Sequence, residues 1–340
     1  MSLENVGITV LWMFLYGYVI VASIDFGAGF FSYYSFITGR EHLVNGVIER
    51  YLSPMWEVTN VFLIFFMVGL IGFYPDTAYY YGTALLVPGS IALVLLALRG
   101  SFYAFSHYAK SSALYRFLYG ATGLFIPASL ATVLTISEGG FIDENNGKVT
   151  LALDRLLSNP YSWAVVLVAV TSVLYISASF LAYYAKKARD PAAAETLRRF
   201  ALATALPTIF ASLLVFFTLR THNPGHFERM LDIYPLFLGS FGCFLVAFAL
   251  QVTRKSYGWA FVWVMLQFLF ALFGYGASHL PYLLEPYIKV HDSITSPQMG
   301  LALVIGLIAG LCLLIPSLVL LMKLFLFNTK YASGKLSEEP

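Results

Sequence analysis

Charge is the scarcest commodity in this chain. Asp, Glu, Lys and Arg make up 11% of its 340 residues, less than half of the roughly 25% usual in soluble domains. A water-facing surface cannot be coated from so few polar groups, which excludes a soluble globular enzyme. Disorder is excluded as well, because it needs low hydrophobicity and high charge. Cysteine is nearly missing too. Cys243 and Cys312 both sit in apolar runs and read as small packing residues, with neither a disulfide framework nor a zinc site. There is no phosphate loop, no G-x-S-x-G elbow and no H-E-x-x-H. A net charge of +2 gives no sign of a nucleic-acid partner. The start, Met1-Ser2-Leu3-Glu4-Asn5, has no basic n-region and predicts no removable signal peptide.

What is present is length in the apolar runs. The residues AVILMFWYC make up 59% of the chain, in stretches of about 20 or more without alternation. That length suits membrane-spanning helices, whereas barrel strands would be about 9–11 residues. The chain therefore reads as an all-α, polytopic membrane protein of about nine transmembrane helices. They fall near 7–37, 57–74, 78–107, 114–136, 161–185, 200–219, 234–253, 258–283 and 299–327. Two four-helix bundles plus one peripheral helix is the expected division, in a single transmembrane domain over 1–327 with a cytoplasmic tail over 328–340. Pro88, Pro127, Pro207 and Pro316 fall inside runs. Each removes a backbone hydrogen bond and so is a point where its helix can kink.

Orientation follows from the basic residues between runs. One side carries 14, among them Arg40, Arg50, Lys186, Lys187, Arg189, Arg198, Arg199, Arg254 and Lys255. The other carries Lys148, Arg155, Arg220, Arg229 and Lys289. The positive-inside bias places the N-terminus outside and the C-terminus in the cytoplasm. The long external loops are then those near 137–160, 220–233 and 284–298.

Ionisable groups inside a membrane are costly, and each is a candidate for function. Asp25 has no charged neighbour between Glu4 and Arg40. Such a carboxylate either pairs or takes up a proton, which suits a proton relay or a structural hydrogen bond between helices. Gly27 and Gly29 beside it allow another helix to approach closely. Glu57 opens the second run, just after Pro54-Met55-Trp56. There it either complements the helix dipole or forms the cytoplasmic mouth of a proton path whose interior is Asp25. Asp25 would lie about 18 Å above the inner end of the first helix. Arg99, followed by Gly100, is the basic residue well inside a run. It snorkels to the interface, or pairs with Asp25, Glu57 or a charge on a partner subunit. The six histidines all sit in loops or near run ends, so none is placed to ligate haem within the bilayer. His222 and His226 are four apart, but Asn223-Pro224-Gly225 breaks the helix that would align them on a metal.

These motifs, in this order, resemble subunit II of the cytochrome bd-type quinol oxidases. That family carries an acidic D-x-G-x-G segment on its first helix, matched by Asp25-Phe26-Gly27-Ala28-Gly29. It opens its second helix with P-x-W-(D/E) and then V-x-L-I, matched by Pro54-Met55-Trp56-Glu57 and Val61-Phe62-Leu63-Ile64. Tyr74-Pro75 stands where members close that helix, and Arg99-Gly100 matches an Arg-Gly pair on the third. The stretch Val58-Thr59-Asn60 replaces a common Gly-Asn-Glu. Ser101 to Ser106 lacks the acidic residue and second Arg of many members, which marks a divergent one.

The resemblance implies a complex of the bacterial cytoplasmic membrane that oxidises quinol and reduces dioxygen to water. The b- and d-type haems and the quinol site would belong to a larger partner, the haem-bearing subunit I. No cofactor or metal is expected on this chain. It would scaffold that partner, within membrane lipid and alongside a possible small accessory subunit, and help deliver cytoplasmic protons through Asp25 and Glu57. The competing expectation is a proton-coupled secondary transporter of a small anionic solute.

Overall fold

A computed structural model describes residues 3–109, 113–145, 147–292 and 295–326, with the side chains of 3, 49–58, 102–109, 145, 325 and 326 outside the description. Twelve α-helices occur among these residues. They are α1 (Leu3–Ile37), α2 (Glu41–Phe73), α3 (Asp76–Ala84), α4 (Leu86–Ala109), α5 (Ala113–Ser137), α6 (Leu153–Ser158), α7 (Pro160–Lys187), α8 (Pro191–His222), α9 (Pro224–Asp232), α10 (Tyr234–Val252), α11 (Tyr257–His279) and α12 (Pro297–Leu321). A π-helical turn, Met322–Leu326, extends α12. Two antiparallel hairpins join them: β1 (Ile142–Asn145) with β2 (Lys148–Leu151), and β3 (Tyr282–Leu284) with β4 (Ile288–Lys289). Seven helices are long and apolar enough to cross a membrane, and the bent pair α3–α4 makes an eighth. A shorter apolar stretch, Thr59–Phe73, belongs to α2. Eight of the nine hydrophobic runs each overlap one of these helices, and the third, 78–107, is divided between α3 and α4. The expected tail, 328–340, lies outside the described residues.

Two of the expected boundaries are corrected. The second helix begins at Glu41 rather than near 57, so Glu57 does not sit in its first turn and a dipole-capping role there falls away. Residues 41–56 carry Glu41, His42, Glu49 and Arg50, which hides them from a hydropathy scan. Within this stretch Val44, Val47 and Ile48 are buried at helical spacing. The third run is two helices, bent by 79° between Ala84 and Leu86. Pro88 is the cause in the sequence. It has no N–H for the carbonyl of Ala84, so the ladder breaks one turn before it.

Helix starts follow a repeated rule. Asn159-Pro160, Asp190-Pro191, Asn223-Pro224 and Ser296-Pro297 each open a helix, the first residue accepting a backbone N–H from Tyr161, Ala193, His226 and Met299 respectively. The proline occupies the first turn, where its missing N–H costs nothing.

α1 is apolar all round and packs against α2, α5, α7, α11 and α12, as expected of a helix buried on many sides. α7 pairs with α8, α10 with α11 and α4 with α5. At the end that holds the start of α1, the connections read as loops fold into a cap. Ile142, Val149, Leu156, Leu284 and Ile288 form a small core of their own with Ile136 and Ala84. Tyr81 donates to the Leu283 carbonyl at 2.9 Å, and Tyr287 to that of Ile142 at 3.1 Å.

Candidate functional site

Asp25 on α1 and Arg99 on α4, 74 residues apart, form a buried ion pair. Both side chains are at most 3% exposed. Arg99 Nε donates to Asp25 Oδ2 at 3.1 Å and Nη2 to Oδ1 at 3.2 Å, a forked contact matched to the carboxylate plane. Nη2 also reaches the Asp25 carbonyl at 2.7 Å. Nη1 donates to the Tyr119 carbonyl at 3.0 Å and to Thr122 Oγ1 at 3.1 Å, both on α5. All five guanidinium N–H groups thus have acceptors. The Tyr119 ring lies 4.4 Å from the guanidinium carbon and the Phe26 ring 5.4 Å, adding cation–π attraction in a dry site. Arg99 therefore does not snorkel; it ties α1, α4 and α5 together.

Glycine makes room for this pair. A Cβ on Gly29 would come within 2.8 Å of the Tyr119 carbonyl and 3.0 Å of both Arg99 Nη atoms. A Cβ on Gly27 would meet Ser177 of α7 at 2.4 Å. Both glycines serve the close approach expected of them, and Ser177 donates to the Ile24 carbonyl at 2.9 Å on the same face. Gly100 is partly buried on α4. The side chains of Pro54, Trp56 and Glu57 lie outside the described residues.

A second polar cluster was not anticipated. Glu138, just after α5, has a fully buried carboxylate. His226 Nδ1, from α9, lies 2.9 and 2.8 Å from its two oxygens. Tyr275 donates its hydroxyl to Oε1, and the Asn223 side-chain amide donates to Oε2 at 3.2 Å. His279, at the end of α11, places Nδ1 3.4 Å from Oε1, too poorly aligned for a hydrogen bond. Burial alone would raise the Glu138 pKa, but the contacts with His226 and His279 outweigh it and hold the carboxyl well below the ordinary range. Asn223 also donates to Glu285 Oε2 at 2.9 Å, and Arg229 donates to the Ser278 carbonyl at 2.7 Å.

The broken turn Asn223-Pro224-Gly225 does keep His222 and His226 apart. His222 stacks between Phe141 and Tyr161 and pairs with Asn159. His226, however, is fully buried rather than a surface group. The available signal was Glu138 itself, a lone acid directly after an apolar run and before Gly139-Gly140.

Comparison with known proteins identifies the family. The family model for cytochrome bd terminal oxidase subunit II matches residues 3–325. A Bacillus subtilis (strain 168) protein described as a putative cytochrome bd menaquinol oxidase subunit II is 32% identical over 335 residues, covering 96% of each chain. A chain in the solved structure of bd oxidase from Geobacillus thermodenitrificans is 53% identical with a TM-score of 0.85, over 96% of this chain and 100% of that one. Lone intramembrane charges on D-x-G-x-G and Arg-Gly segments, a multi-pass helical fold and full-length likeness converge on one assignment: the chain belongs to the cytochrome bd terminal oxidase subunit II family and is a subunit of a quinol oxidase complex.

Proposed function

We propose that this chain is the subunit without haem of an oxidase that draws electrons from a menaquinol-type quinol and reduces dioxygen to water. A larger subunit I carries the b- and d-type haems and the quinol site. The complex lies in the bacterial cytoplasmic membrane with the α1 N-terminus outside, which the bias of basic residues supports. The chain scaffolds its partner and helps supply cytoplasmic protons through Glu57 and Asp25.

The observation that carries this reading is the Asp25–Arg99 pair. Arg99 is anchored independently of the Asp25 side chain, through Tyr119, Thr122 and the Asp25 carbonyl. The carboxylate can therefore accept and release a proton while the guanidinium keeps its place. A second reading is favoured by the full set of acceptors around Arg99: the pair only locks three helices and moves no proton.

Turnover per haem in the purified complex separates the two. Under proton delivery, Asp25→Asn lowers it tenfold or more, about 1.4 kcal/mol of barrier. Asp25→Glu retains more activity than Asp25→Asn, and Glu57→Gln gives a milder loss. Full activity per haem in Asp25→Asn, with reduced yield of complex, rejects proton delivery and leaves the lock.

A further inference from the structure

We propose that Glu138, His226 and His279 form a binding site for a divalent transition-metal ion of the zinc type. One ligand atom from each lies within 4.8 Å of the others, and all three residues are buried. They come from the segment after α5, from α9 and from the end of α11, so the site joins three parts of the chain that are distant in sequence.

His279 carries the argument. Both of its ring nitrogens are buried and neither has a hydrogen-bond partner, and its Nδ1 lies 3.4 Å from Glu138 Oε1. A buried polar group left unpaired is costly. His226 faces the same carboxylate, with Nδ1 2.8 Å from Glu138 Oε2 and Nε2 2.7 Å from Ser278 Oγ. One divalent ion held by the three residues would complete His279 and leave the outer contact of His226 with Ser278 in place.

Ligands about 2.0–2.2 Å from a tetrahedral zinc lie roughly 3.3 Å apart. Glu138 lies 3.4 Å from His279 Nδ1, which matches, and 2.8 Å from His226 Nδ1, a hydrogen-bond distance that would open by about 0.5 Å around an ion. Two imidazoles and one carboxylate suit zinc-like ions, whereas calcium and magnesium take oxygen ligands. Outer-shell support is in place, with Ser278 behind His226, and with Tyr275 and Asn223 on the two Glu138 oxygens.

The test uses the whole oxidase complex, stripped with a chelator and titrated with zinc chloride. Zinc per haem is measured by elemental analysis and its ligands by zinc-edge X-ray absorption. The native complex should hold one zinc, with two imidazoles in its shell, that His279→Phe lacks. This substitution keeps the ring stacked on Tyr275, now 5.9 Å between centroids and 7° from parallel, and gives up no hydrogen bond. Ser278→Ala should weaken the same zinc tenfold or more, because it removes the outer contact that orients the His226 ring. Failure of the stripped native complex to take up zinc overturns the proposal. Equal zinc affinity in the native, His279→Phe and Ser278→Ala complexes overturns it as well.

Discussion

Removing the Arg99 charge should be among the most damaging single changes in the protein, and the damage should be reversible by a second change. In Arg99→Met the Asp25 carboxylate stays buried with its forked partner gone. The Tyr119 carbonyl and the Thr122 hydroxyl each lose one donor too. Breaking a buried ion pair costs about 3–5 kcal/mol, mostly because one charge is left uncompensated. Adding Asp25→Asn removes that charge. What remains is the loss of neutral hydrogen bonds, at about 0.5–1.5 kcal/mol each. The double variant should therefore be more stable than Arg99→Met alone, with a coupling of about 2 kcal/mol or more across the cycle. Unfolding of the purified complexes by SDS in mixed micelles, followed by tryptophan fluorescence, measures each corner. Additive effects of the two substitutions would refute the reasoning, as would a neutral Arg99→Met, since either means that the charges do not depend on each other.

Two further outcomes follow from the packing and the topology. A Cβ on Gly123 would sit 2.2 Å from the Phe26 carbonyl, so Gly123→Ala must push α5 away from α1 and should destabilise by about 1–3 kcal/mol, read as a lower melting temperature. With the N-terminus outside, a cysteine at exposed Thr150 (Thr150→Cys) should react with a membrane-impermeant thiol reagent in intact cells, and one at exposed Ala192 (Ala192→Cys) only after permeabilisation; the opposite pattern would reverse the orientation and the side of proton entry.

Hydropathy made the spans legible because lipid demands long uninterrupted apolar helices. It failed where a helix leaves that regime. Residues 41–56 continue α2 with charges among their apolar residues, and Val44, Val47 and Ile48 are buried in its first turns. The bend before Pro88 is legible as a missing donor, but nothing local sets its angle. Asp25 and Arg99 stood out as isolated charges in apolar runs, and their pairing was one of a few options that burial cost permits. Glu138 was hidden by position. It lies where a hydrophobic run gives way to Gly139-Gly140, which reads as solvent-facing, and its burial depends on α9, α11 and Glu285 closing over it. Glu285 donates its N–H to the Ser137 carbonyl at 2.9 Å, a contact 148 residues away in sequence.

α5 connects the two polar sites and explains why they are built differently. Thr122 supports Arg99, and Glu138 follows 16 residues later, about 24 Å along the axis. Within the apolar span no water can complete an arginine, so every N–H of Arg99 is matched by protein and the Asp25–Arg99 pair is electrically closed. At the end of α5 the constraint is weaker, and the polar groups there are left incomplete. Glu138 has hydrogen-bond donors on both oxygens, yet His279 keeps two unused nitrogens and His226 aims Nδ1 at the carboxylate. A closed set of contacts around Arg99 keeps three helices together and holds the guanidinium in place beside Asp25. An open, nitrogen-rich group beside an anion suits one that is completed from outside. Chelation should therefore loosen the junction of α5, α9 and α11 and leave the Asp25–Arg99 pair intact, with hydrogen exchange rising in 138–145 and 224–232 but not around Asp25. Protection lost equally at both sites would show that the two are one cooperative unit and that the metal reading of the outer cluster is wrong.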